Sequence, residues 1–167
     1  MFQLKPLSRE GVDAALRKAE RYRLLNEAWE AESICRDVLE VDPGSQQALV
    51  TLVLALTDQF LGEPPADPRE AHAAVERLAG AYEREYYAGI VHERWAKRLL
   101  TRGAPGSGSV VFEGLRVAME CYTRAEGLRR PGDDDAVLRW NTCARLLMRH
   151  DHVRPAPEER VEPPQLE

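Results

Sequence analysis

The chain has 167 residues, 44% of them hydrophobic and 31% charged, which suits about one water-soluble domain with its own core. A formal net charge of -5 argues against a broad nucleic-acid footprint. The longest nearly apolar run, Ala48 to Leu56, is too short to cross a bilayer, and the opening MFQLKPLSREG has no apolar stretch of the kind that directs secretion, so a cytoplasmic protein without membrane contact is expected.

Ser8 is a natural N-cap for a first helix, with Arg9, Glu10 and Gly11 in its opening turn. Ala15, Ala19 and Tyr22, then Ala28, Ala31, Cys35, Val38 and Leu39, recur at the spacing of one helix face and predict two helices, the second over residues 27–41. Between them Asn26 tolerates the left-handed conformation that a tight helix terminus needs. Asp42-Pro43-Gly44-Ser45 stops the second helix, because proline lacks a backbone donor and disfavours helical geometry in the residue before it. A third helix over residues 45–60 is apolar around most of its circumference.

The proline-rich segment 59–68, QFLGEPPADP, breaks that helix, and Asp67 caps another that starts at Pro68. Residues 82–102 are again amphipathic, with Tyr86, Ile90, Trp95 and Leu99 at apolar positions and no marker for the boundary with the helix before. GAPGSGS, residues 103–109, reads as a flexible connection, with Ser109 capping a helix over 110–129. Acidic residues at Asp133 to Asp135 favour the start of a last helix that runs to about Arg149. From Asp151 the composition turns to Pro, Glu and Arg, which predicts a disordered tail over 151–167.

Counted back from Pro43, the residues Ala15, Lys18, Ala19, Tyr22, Ala31, Cys35 and Pro43 stand at the positions of the 34-residue pattern W-x2-L-G-x2-Y, A-x3-F, P, and the stretch resembles a tetratricopeptide repeat (TPR). Ala15 and Lys18 depart from it. A second copy places Leu49, Leu52, Val53 and Leu56 at the first four sites and Ala71 and Val75 at the A-x3-F pair, but has Glu83 where the proline belongs. In a third, Ala118 and Tyr122 fit the pair, with Ala125 after them and Pro131 one residue late.

The resemblance implies an all-α, right-handed solenoid of about three degenerate TPR-like hairpins plus a C-terminal covering helix, over residues 1–150. It also implies a non-catalytic interaction module, an adaptor or scaffold that holds a peptide or helix of a protein partner in a concave groove. By the family register that groove takes Leu16, Glu20 and Arg23 from the first helix, Val50 and Leu54 from the third, and Thr142 and Arg145 from the last. The fifth helix offers His92 and Trp95 in one alignment, or Ile90 and Arg94 in the other. The set of Lys, Asn and Arg that clamps two carboxylates of chaperone tails is missing.

Two rival readings accompany this one. The apolar third helix suits the interface of a structural homodimer. A ligand sensor or enzyme would need a pocket that brings His92, Trp95, Arg139 and Asn141 together.

Nothing local argues for a cofactor or a metal. GAPGSGS lacks the Gly-Lys-Ser/Thr ending of a phosphate loop, His150 and His152 straddle a helix end without further ligands, and Asp133 to Asp135 lack the calcium-loop spacing. His72 and His92 read as isolated, each suited to surface pairing with Glu76 and Glu93. Cys35, Cys121 and Cys143 show no CxxC pairing and read as small buried apolar residues of a reducing compartment. In the tail, Val161 and Leu166 are the last apolar anchors, too few for firm docking on the domain.

Overall fold

Helix-terminating residues divide the chain into seven α-helices in the computed structural model, which describes residues 2–156. They are α1 (Val12–Leu24), α2 (Ala28–Val41), α3 (Gln46–Asp58), α4 (Pro68–Glu76), α5 (Ala81–Arg102), α6 (Gly108–Leu128) and α7 (Asp135–Arg149), with 3-10 turns at Arg9–Gly11 and Gln59–Leu61. No strand is found among the described residues, so the fold is all-α, and no helix is long and apolar enough to cross a membrane.

Local chemistry explains the ends. Ser8 accepts from the Gly11 amide, Ser45 from the Ala48 amide at 3.3 Å and Asp67 from the Arg69 amide at 2.9 Å, each satisfying an orphan donor of a helix start. Asn26 takes the expected left-handed conformation, φ 61°, between α1 and α2, and Gly103 does the same at the end of α5. The unmarked boundary falls at residues 77–80, where the Ala79 amide donates to the Gln46 side chain and Arg84 donates to the Leu78 and Ala79 carbonyls. α6 starts at Gly108, before the expected Ser109 cap, and only glycine fits at that position, because the His152 carbonyl lies where a Cβ would stand.

Each helix packs on the next in the chain, and α1 and α5 both also pack on α3. One core gathers Leu16, Ala19, Ala31, Cys35, Val38, Phe60, Ala71, Val75 and the buried face of α3. A second gathers Ile90, Val111, Leu115, Ala118, Tyr122, Ala125, Ala136 and Cys143. Leu54 of α3 leans on the second core, while Val91 and Trp95 of α5 lean on the first, so these two helices join the halves.

Ala48, Leu49, Leu52, Val53, Ala55 and Leu56 are all buried, and Val50 and Leu54 are half-buried. The apolar surface of α3 is therefore covered by this chain itself, at roughly 1.5–3 kcal/mol of transfer free energy for each large aliphatic side chain. The three cysteines are free and buried, and burial pushes the Cys35 and Cys143 thiols up to about 12. Val153 is buried against the second core, beyond the boundary expected at 150, and the rest of the expected tail, from residue 157, lies outside the described residues.

Candidate functional site: a cleft between α3, α5 and α7

The end of α3 is tied to both its neighbours. Asp58 accepts from Arg23 Nε of α1 at 2.8 Å and from Arg94 of α5. Arg94 also donates to Thr57 Oγ1 at 2.7 Å and to the Leu54 carbonyl at 3.3 Å, which satisfies acceptors in the last turn of α3.

Beside this junction opens a cleft of about 410 Å³. Phe60 and Leu61 form one apolar wall, Leu100 of α5 and Leu146 of α7 the other, and Thr57, Asp58, Arg94, Lys97 and Thr101 supply polar groups. Trp95 props the Phe60 wall edge-on, with ring centroids 5.3 Å apart. Arg98, itself buried, donates to the Phe60 carbonyl and to the Gly62 carbonyl at 3.2 Å, which holds the 3-10 turn against α5.

Two cations, Arg94 and Lys97, and one carboxylate, Asp58, line this cleft of an acidic chain, and further cations stand behind them in shared ion pairs. Arg23 and Arg94 share Asp58, Lys97 and Arg139 share Glu93, and Arg98 and Arg102 share Glu63. Two cations per carboxylate leave a basic surplus that favours acidic groups on whatever enters.

Glu93 lies beneath the cleft, fully buried, where Tyr122 Oη of α6 donates to it at 2.6 Å and Arg139 of α7 at 3.2 Å. Burial, then the neighbouring Glu93, push the Tyr122 phenol well above its ordinary range, so it serves as a donor. Gly89, one turn earlier on α5, makes room for the Tyr122 ring, because a Cβ there would lie 2.5 Å from it.

The residues singled out from sequence are placed unevenly. Arg23 sits at the Asp58 junction, and Thr142 lies on α7 one turn before Leu146, exposed, donating to the Leu138 carbonyl at 2.9 Å. Leu54 lends its carbonyl to Arg94, while Trp95 backs the cleft wall rather than facing solvent. Leu16 is only 5% exposed in the first core, Val50 packs against that core, Glu20 is exposed and accepts from Gln47 Nε2 at 2.9 Å, and Arg145 is exposed.

His92 meets His72 of α4 instead, with ring centroids 4.7 Å apart. Neither histidine is isolated, and Glu93 does not pair with its neighbour in sequence, because consecutive helical residues point about 100° apart. Burial lowers the pKa of both; Glu76 opposes this at His72, whereas His72 and Arg124 reinforce it at His92. Arg139 reaches Glu93 while His92 reaches α4, so those two do not converge on one pocket.

Sequence reasoning passed over Asp58, Lys97, Leu100 and Leu146. One signal was present: Arg94, Lys97, Arg98 and Arg102 recur at three- and four-residue intervals along α5, a basic stripe on one face. Among the described residues no group of three or more His, Cys, Asp or Glu side chains is placed to hold a metal ion. No protein-family model, curated protein or solved structure matches the chain.

Proposed function

We propose that the chain is a non-catalytic interaction module, a short right-handed solenoid of about three degenerate TPR-like hairpins and a covering helix, which holds a peptide or helix of a protein partner in the cleft among α3, α5 and α7. The observation that carries this reading is the cleft's mixed lining: apolar walls from Phe60, Leu61, Leu100 and Leu146 beside a basic surplus centred on α5. Apolar side chains of a partner segment gain burial there, and the charged rim fixes its orientation. Helices adjacent in the chain stack in order, as a solenoid requires, and the three buried free thiols suit a reducing, cytoplasmic setting.

A displayed library of random peptides supplies the test, followed by fluorescence polarisation with the enriched sequences. Leu61 is 66% exposed and Thr101 is exposed, so Leu61→Glu and Thr101→Glu alter the cleft without touching either core. Each substitution is expected to weaken peptide binding at least about tenfold, a loss of roughly 1.4 kcal/mol. A library that yields no binder, or binders indifferent to both substitutions, would overturn the reading.

A further inference from the structure

A second surface, on another flank of α7, has different chemistry. Between α6 and α7 runs an open furrow of about 440 Å³, with Phe112 and Met119 on the α6 wall and Trp140 and Leu147 on the α7 wall. Each pair is seven residues apart, two helical turns or about 10.5 Å along one face. Two parallel ridges of that spacing make a groove into which the side chains of another helix fit. Within the chain α3 and α5 are packed by the helices before and after them, whereas α7 rests on α6 and no helix follows it among the described residues. Trp140 remains 38% exposed and Met148 80% exposed on this side, and half-buried Val137 and Ala144 complete an apolar stripe along α7.

The charges bordering the furrow indicate what covers it. Glu113, Arg116, Glu120 and Arg124 alternate in sign along α6, with Arg116 bonded to both Glu113 and Glu120. A twofold interface sets one patch against itself, so a rim of single sign would repel its own copy, while a balanced rim finds opposite charges across the axis. The cleft, with its basic surplus, fails that condition; the furrow meets it. Arg145 makes no ion pair among the described residues, and an antiparallel crossing centred on Trp140 brings it toward Asp134 of the other copy, since Arg145 and Asp134 stand at nearly equal distances in sequence from the crossing point. Asp134 is an exposed carboxylate that Arg129 already bonds at 2.8 Å through one oxygen.

We infer that the furrow is a homodimer interface in which a second copy lays its α7 into the groove between α6 and α7, with Trp140 at the centre. A large aromatic with a partly wet edge is the residue type that dominates such contacts. Leu146 and Leu147 point to different flanks of α7, so the dimer leaves the cleft open, and this inference does not depend on what the cleft binds.

Sedimentation velocity of the full chain from roughly 1 to 200 µM tests it, a span that covers dissociation constants of ordinary weak and strong dimers. A reversible monomer–dimer equilibrium is expected. Trp140→Glu, and separately Thr123→Glu at an exposed position on the furrow's α6 wall, should each raise the dissociation constant at least tenfold with helicity and melting temperature unchanged for Thr123→Glu. Thr101→Glu, in the cleft, should leave the equilibrium as it was. A monomer throughout the range overturns the inference, as does a dimer that survives both furrow substitutions. Growth beyond the dimer overturns it too, because it would mean that the amino-terminal end of one chain stacks on the furrow of the next in an open, head-to-tail array.

Discussion

The two cores of this molecule are held by different chemistry. The first is apolar, with Leu49, Val53, Val38 and Phe60 gathered around α3, and the one carboxylate buried beside it among the described residues, Glu32, accepts from Arg36 and Gln59 without a cation from another helix inside the core. The second contains a buried carboxylate at its centre, Glu93, bonded to Lys97 of its own helix, Tyr122 of α6 and Arg139 of α7. Apolar packing accepts many arrangements of similar volume, whereas a buried charge is tolerated only where every partner stands within bonding distance. We therefore read the second core as the one that fixes helix positions closely; the furrow is built on it, and the cleft lies where its Leu100 and Leu146 face Phe60 of the first.

The largest expected effect separates these two kinds of core. Glu93→Ala leaves two cations and a phenol without their shared acceptor and should destabilise the fold by about 3–5 kcal/mol, as broken buried ion pairs do. Glu93→Gln retains an acceptor for Tyr122 and should lose distinctly less. Leu49→Ala, a cavity in the first core, is expected to lose about 2–5 kcal/mol. Urea unfolding distinguishes the cases: if Glu93→Gln, which keeps the volume, is as harmful as Glu93→Ala, the carboxylate charge shared by Lys97 and Arg139, and neither volume nor the bond from Tyr122, governs the second core.

Next in size is a pair of glycine substitutions with opposite signs. Gly89→Ala pushes a methyl group into the Tyr122 ring and should lose about 1–3 kcal/mol through overpacking. Gly127→Ala adds a methyl group in open space near the end of α6 and should gain up to about 1 kcal/mol by helix propensity. Thermal melts of both variants would show whether α5 and α6 approach as closely as the structure has them. A smaller loss, about 1 kcal/mol, is expected for Ser45→Ala, which removes the cap of α3 and leaves its packing in place.

The same contrast explains what was legible in the sequence. Helix ends were readable because their signals are local: Ser8, Asn26, Pro43, Asp67 and Gly103 act within a few residues of themselves. That α3 is apolar around most of its circumference was readable from composition, but that its own chain covers it, rather than a groove occupant or a second copy, was not. The Glu93 network was not, since Tyr122 and Arg139 lie 29 and 46 residues away and no spacing announces a bond across three helices. Arg94 became a cleft residue only once α3 supplied Asp58 and its terminal carbonyls as partners. The boundary at residues 77–80 carries no local signal, because its bonds go to Gln46 and Arg84 and not to a side-chain cap of its own.

The last contrast lies at the joint between the halves, where His72 of α4 and His92 of α5 press their rings together. Burial disfavours the charged form of both, Arg124 disfavours it further at His92, and Glu76 offsets part of it at His72, so each folded-state pKa lies below the ordinary 6.5. Between those folded values and 6.5 the unfolded chain binds more protons than the folded one. Stability is therefore complete above the unfolded value and declines as pH falls through 6.5 toward the folded values. Urea midpoints measured from roughly pH 7.5 down to pH 5 should fall on the acid side, a gentler change than the core truncations produce. The double variant His72→Gln/His92→Gln should flatten that decline while Glu93→Gln leaves it in place. A decline of the same steepness without the two histidines would mean that acid acts on the carboxylate pairs around the cleft and not on the α4–α5 joint.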